Sequence, residues 1–146
     1  MGSSYFPSEL IAAFLWAQME EADAITRRRL AIWDAYHLGL ADLEAKGYIR
    51  RPFIPEECAH NAHMYYIILP DLASRSKLIE VLKSKNIHAV FHYIPLHSAP
   101  AGLKHGATRM KLEVTDSMSE RLLRLPIWLG IEDKQLQVIE AVSASF

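Results

Sequence analysis

The sequence predicts an α/β (α+β) sandwich, in which a long N-terminal helix precedes a small sheet covered mainly on one face by helices. Three observations predict it. Helical spacing runs through the first third of the chain. Two short runs rich in β-formers, HMYYIILP (63–70) and IHAVFHYIP (87–95), are separated by an amphipathic helical segment. A brief extended piece and a last amphipathic segment follow, which gives about three strands in one layer and helices in another.

The opening segment is helical from Pro7, which suits a first helical position, with Glu9 in the first turn where the helix dipole favours negative charge. LIAAFLWAQM (10–19) has almost no polar side, and a helix apolar all round must be covered all round. A chain of 146 residues has few elements with which to enclose it, so a surface outside this chain is expected to cover one side. From Ala24 the pattern becomes amphipathic through Ile25, Ile32, Tyr36, Leu40 and Leu43, and Gly47 is a natural stop. One long helix over 7–46 or two segments bent near Glu21 to Asp23 both fit.

RRPFIPEECAHNA (50–62) reads as a proline-bearing connector into the first strand. Asp71 caps a helix with Leu72, Ile79 and Leu82 on its apolar side, ending near Asn86. After the second strand, residues 98–114 form a glycine-containing loop. Thr115 or Asp116 caps a short helix over SMSERLLR, LRLPIWL is extended, and a helix from Glu132 to about Ala144 buries Leu136, Ile139 and Val142. Residues 1–146 thus make one domain, with a helical arm over 1–46 and the sandwich over 47–146.

Composition narrows the function. Hydrophobic residues make up 51% and charged residues 23%, the balance of a globular protein. A net charge of −1 provides no field to draw nucleic acid or anionic lipid. No run of apolar residues is long enough to span a membrane, and no secretory leader is evident, so a cytoplasmic location is expected. Cys58 is the single cysteine, which excludes an internal disulfide or a cysteine-rich metal site, and Glu56 and Glu57 beside it argue against a nucleophile. Among the seven histidines, His88 and His92 stand ~13 Å apart if the strand is continuous, too far to share a metal ion, and no His-Glu-x-x-His pattern occurs. No metal site is expected. Neither a Gly-x-Ser-x-Gly elbow nor a glycine-rich phosphate loop is present.

Two stretches remain. Gly2, Ser3 and Ser4 precede a helix start, where they either cap the helix or hold an anion. HYIPLHSAPAG (92–102) sets polar rings among prolines that stiffen the backbone. Strand alternation puts Tyr93 and His97 on one side, where they converge on a common space unless the bend at Pro95 re-aims the histidine. The alternative is that Tyr93 packs on its own domain and His97 caps a loop carbonyl.

Five segments in order, GSSYFPSELIAAFLWAQMEEAD, RRRLAIWDAY, NAHMYYIIL, FHYIPLHSAPAG and TDSMSERLLRLPIW, resemble the C-terminal part of the DegT/DnrJ/EryC1/StrS sugar aminotransferases. The resemblance implies the small C-terminal domain of a fold-type I pyridoxal-phosphate enzyme, a homodimer whose large domain carries the Schiff-base lysine. Lys46, Lys77, Lys83, Lys85, Lys104, Lys111 and Lys134 all fall in small-domain segments, so none matches that lysine, and no catalytic residue is expected here. The chain alone is then expected to be inactive and not to retain the cofactor.

Two half-reactions are implied. L-Glutamate gives its amine to the cofactor, which passes it to the 4-keto group of the nucleotide-sugar dTDP-4-dehydro-6-deoxy-D-glucose, for enterobacterial common antigen or another surface polysaccharide. Tyr93 and His97 match the family's tyrosine and histidine and are implied to bind the sugar. Ser4 stands where relatives carry an asparagine that reaches the cofactor phosphate across the dimer, and Phe6 replaces a basic residue. His63 is read as structural. The rival reading is a stand-alone α/β interaction or ligand-sensing module, which requires the first helix to be covered within the chain or by a symmetric partner.

Overall fold

In a computed structural model, residues 5–108 and 110–146 are described. The helical arm is not one rod. It divides into α1 (Glu9–Glu20), α2 (Ala22–Gly39) and α3 (Ala41–Ala45), with breaks at Glu21 and at Leu40. The first break falls inside the expected bend. Pro7 lies one residue before the cap and not inside the helix, because the Ser8 side chain accepts from the Ile11 amide at 3.3 Å and starts the helix at Glu9. Gly47, at φ +77°, follows the last turn of α3 in the left-handed conformation that glycine adopts without strain.

Three strands follow: β1 (Tyr65–Ile68), β2 (Val90–Phe91) and β3 (Leu122–Leu125). Their order is β1-β3-β2 with both pairs antiparallel, so the last strand in sequence is the central one. Helix α4 (Leu72–Ser84) lies between β1 and β2, and α5 (Pro100–His105) and α6 (Glu113–Arg121) between β2 and β3; α7 (Glu132–Ser143) closes the domain. Asp71 caps α4 as the sequence requires, its carboxylate accepting from the Ser74 amide at 2.7 Å.

One face of the sheet carries the core. Tyr65, Ile67, Leu123 and Leu125 bury against Ile32, Trp33 and Tyr36 of α2, Leu78 and Leu82 of α4, and Val138, Ala141 and Val142 of α7. Two polar groups tie this layer together: the Tyr36 hydroxyl donates to the Pro126 carbonyl at 2.8 Å, and Gln135 Nε2 donates to the Ile32 carbonyl at 2.5 Å, joining α7 to α2, while the Tyr65 hydroxyl is buried without a partner. Arg51 is clamped by Glu44, whose carboxylate accepts from the Arg51 amide and from Nε, both at 2.7 Å. That clamp delivers Arg50 to its bridge with Ile68 at the edge of β1.

Several local expectations are corrected. Leu72 and Leu136 are exposed, because the buried stripes run through Leu78–Leu82 and through Gln135–Val138–Val142. The second strand is two residues long, since only Val90 and Phe91 find partners on β3. The region 98–114 is not all loop, for Pro100 at the first helical position starts α5 after an extended Ala99. Helix α6 begins before Thr115 and Asp116, so neither caps it, and it stops at Arg121, where LLRL turns into strand.

The oily helix is uncovered. No residue of α1 is buried; Phe14 is 73% and Trp16 68% exposed, and Leu10, Ile11, Leu15 and Met19 accompany them. Among the described residues α1 touches chiefly α2. Deleting residues 1–20 is therefore expected to leave the thermal unfolding midpoint of the rest unchanged while lowering hydrophobic-dye fluorescence. Calorimetry and dye titration of the shortened chain check this, and loss of a cooperative transition would contradict it.

Candidate functional site

The segment after β2 is a fixed turn. The Pro95 carbonyl accepts from the Ser98 amide at 3.1 Å and the Ala99 amide at 3.0 Å, and the Ser98 hydroxyl joins it at 3.1 Å. Helix α5 then folds back on this turn. A Cβ at Gly102 would lie 1.5 Å from the Leu96 carbonyl oxygen, a separation no side chain can occupy. Two prolines and one backbone-on-backbone contact thus hold residues 92–99 in shape.

Tyr93 and His97 do not share a side of a strand, since β2 ends at Phe91 and the turn at Pro95 intervenes. Tyr93, 67% exposed, borders a hollow of about 440 Å³ with Arg75, Phe91, Ser98 and Asp116. It also borders an apolar hollow of about 450 Å³ with His92, Met118 and Leu122. His97 lines a different recess of about 320 Å³ with Leu103 and Thr108. The link between them is Asp116, which borders the first Tyr93 hollow and places its Oδ1 2.8 Å from His97 Nε2.

That contact fixes the histidine chemically. An ionised carboxylate only accepts, so the hydrogen sits on Nε2, and in the neutral ring Nδ1 is left as an acceptor. Asp116 reads in the sequence as a helix cap; its placement inside the first turn of α6, within reach of His97, is visible only in the fold.

Cationic groups pack on the neighbouring aromatics. The Arg75 guanidinium lies 5.3 Å from the Phe91 ring and donates from Nη1 to the Ser119 carbonyl at 2.9 Å, while Arg124 lies 5.7 Å from the Tyr93 ring. His92 meets Tyr93 edge-on at 4.5 Å. Burial, then the charges of Arg124 and His63, push the His92 imidazole below its ordinary range. His63 itself is engaged with Asn61, its amide and Nδ1 at 3.2 and 3.1 Å from Asn61 Oδ1. Ser4 lies outside the described residues. The two hollows at Tyr93 combine exposed polar groups with apolar walls at Ile94 and Pro95, while His97 faces its own recess beside Leu96.

Comparison with known proteins shows the family and the fold. Residues 1–143 match the model of the DegT/DnrJ/EryC1/StrS aminotransferase family. An uncharacterized protein of Methanocaldococcus jannaschii, MJ1066, is 29% identical over 147 residues, covering 98% of this chain and 37% of that protein. DesV of S. venezuelae, solved in complex with a ketimine intermediate, superposes with a TM-score of 0.79 at 28% identity, over 90% of this chain and 34% of that one. The aminotransferase TlmJ of Streptoalloteichus hindustanus shares the fold with a TM-score of 0.76 at 23% identity, over 88% and 34%. The chain therefore spans about a third of the length of the relatives it matches.

Two substitutions test the platform. In Asp116→Ala the His97 ring is expected to lose its single tautomer, read from the ¹⁵N shifts of the two ring nitrogens, and Asp116→Glu is expected to restore it. Gly102→Ala is expected to cost about 1–3 kcal/mol in unfolding free energy through the forced displacement of α5, measurable by urea denaturation.

Proposed function

The chain belongs to the DegT/DnrJ/EryC1/StrS aminotransferase family, and from that premise we propose that it forms the sugar-binding wall of a nucleotide-sugar aminotransferase. In this reading it is the small C-terminal domain of a longer, homodimeric, cytoplasmic enzyme. That enzyme moves an amino group from L-glutamate to the 4-keto group of dTDP-4-dehydro-6-deoxy-D-glucose. It thereby resembles a dTDP-4-amino-4,6-dideoxygalactose transaminase, serving enterobacterial common antigen or another surface polysaccharide. The observation that carries the reading is the rigid HYIPLH turn, which presents Tyr93 to solvent and locks His97 through Asp116. A wall of this kind lowers the orientational entropy to be lost when a flexible sugar is bound.

Pyridoxal phosphate, the cofactor the family implies, attaches through a lysine beside the reacting carbon. Among the described residues no lysine borders the hollows at Tyr93 or the recess at His97. These residues therefore do not fit the covalent attachment of the group, and no chemical step is assigned to them. Ser4 remains the residue proposed to reach its phosphate across the dimer.

The work left to this chain is binding and orientation. The Tyr93 hydroxyl donates to a sugar oxygen, and His97 Nδ1 accepts from a sugar hydroxyl while Nε2 stays tied to Asp116. Ile94 and Leu96, both exposed, shield the less polar side of the sugar from water. The uncovered α1 supports a domain made to meet another surface and weighs against a stand-alone module that covers this helix within its own chain.

In the longer enzyme, Tyr93→Phe and His97→Ala are each expected to raise KM for the sugar nucleotide up to about tenfold, the worth of one net hydrogen bond. Single-turnover reaction with L-glutamate is expected to stay unchanged, so steady-state and single-turnover kinetics together decide the assignment. This chain by itself is expected to transfer no amine; measurable transfer by it would overturn the reading.

A further inference from the structure

We propose that the sheet face opposite the core, around Arg124 and His92, binds an oxyanion, either a phosphate or a carboxylate. The face follows from the register. Arg124 of the central strand stands directly across from Tyr66 on one side and Val90 on the other, with Leu122 two residues away on the same face. Their chain neighbours Tyr65, Ile67, Leu123 and Leu125 point into the core.

Arg124 differs from the other arginines near the core. Arg28, Arg29, Arg51, Arg75 and Arg121 each donate to a carboxylate or a backbone carbonyl. Among the described residues Arg124 donates to no protein acceptor and is in no ion pair, and its Nε is buried without a partner. His92 Nδ1 is buried and unpartnered in the same way. The two groups pack on one ring, Tyr93, from which Arg124 lies 5.7 Å and His92 4.5 Å. Arg124 is the permanent charge that perturbs His92, and no carboxylate is among the groups that do so. A permanent cation and two buried nitrogens that find no partner among the described residues form a site whose missing member is negative.

An oxyanion completes it. The planar guanidinium offers Nε–H and an Nη–H in parallel to two oxygens, a fork that fits phosphate and carboxylate alike. His92 adds a donor at Nδ1 once the ring is protonated there, and Tyr93 supplies a flat floor. Binding also reverses the electrostatics at His92. Burial and the Arg124 charge disfavour its charged form; an anion beside it favours that form, so anion binding and proton uptake at His92 reinforce each other. The site stands on this face alone and does not depend on Tyr93 or His97 touching a sugar.

The test is an NMR titration of the ¹⁵N-labelled chain with inorganic phosphate and, separately, with acetate, ionic strength being held constant with chloride. Expected are a saturable shift of the Arg124 Nε–H signal and a rise in the His92 titration midpoint when the anion is present. A response to phosphate alone or to acetate alone names the source within the class. Arg124→Gln is expected to weaken binding about tenfold or more, with Arg124→Lys intermediate because it keeps the charge and loses the fork. The proposal is overturned if Arg124 does not move, if Arg28 and Arg50 shift in parallel with it, or if the His92 midpoint is indifferent to the anion. Should Arg124→Gln fail to fold, the last of these readouts decides on the unmutated chain.

Discussion

The sheet exists because its last strand is its middle one. β1 and β2 do not pair with each other; the only strand either pairs with is β3, so the segments around Tyr65 and Val90 have no sheet until Leu122–Leu125 arrives. Such closure comes late in sequence and carries a loop-entropy cost. It is offset by burying Leu123 and Leu125 among residues of α2, α4 and α7. The same four residues also divide the molecule into its two sides. Alternation sends the odd-numbered leucines to the core and sends Leu122 and Arg124 to the face that carries His92 and Tyr93.

What stands on that second face is fixed by backbone more than by side-chain packing. Phe91 ends β2, Pro95 collects three donors from the residues after it, and Gly102 lets α5 approach the Leu96 carbonyl. Asp116 then reaches from α6, the helix that runs directly into β3, to His97. Strand closure and site geometry are therefore coupled: the helix that places Asp116 is held by the strand that makes the sheet.

Much of this was legible in the residues. The layer architecture, the bend near Glu21, the Asp71 cap and the apolar isolation of the first helix follow from periodicity and cap chemistry, which act over a few residues. Strand alternation failed for HYIPLH because it presumes that a strand continues, and strand length is set by the partner, not by propensity. The burial of Leu136 was misread for a related reason: a helix with several apolar positions shows period but not which stripe meets the core. Asp116 and Arg124 carried no signal at all, since a capping residue and a strand cation look the same whether or not a ligand site lies beside them.

The exposed first helix and the buried core answer to different surfaces. Fully covering a single Phe, Leu or Met side chain is worth about 1.5–3 kcal/mol, and α1 exposes Leu10, Ile11, Phe14, Leu15, Trp16 and Met19 together. None of that free energy is used by the sheet or by α2 to α7, whose core closes without it. A helix that contributes nothing to its own domain and is oily on every side is an adhesive element, directed at whatever it meets. Its Ser8 cap and its hydrogen bond from Trp16 Nε1 to Glu20 keep it helical while it stays uncovered. Fold and exposed apolar surface are thus written in separate stretches of one chain, with α1 ahead of the core elements and the candidate site after β2. Among the described residues α1 meets the rest of the domain chiefly through α2, whose Ile32, Trp33 and Tyr36 lie in the core.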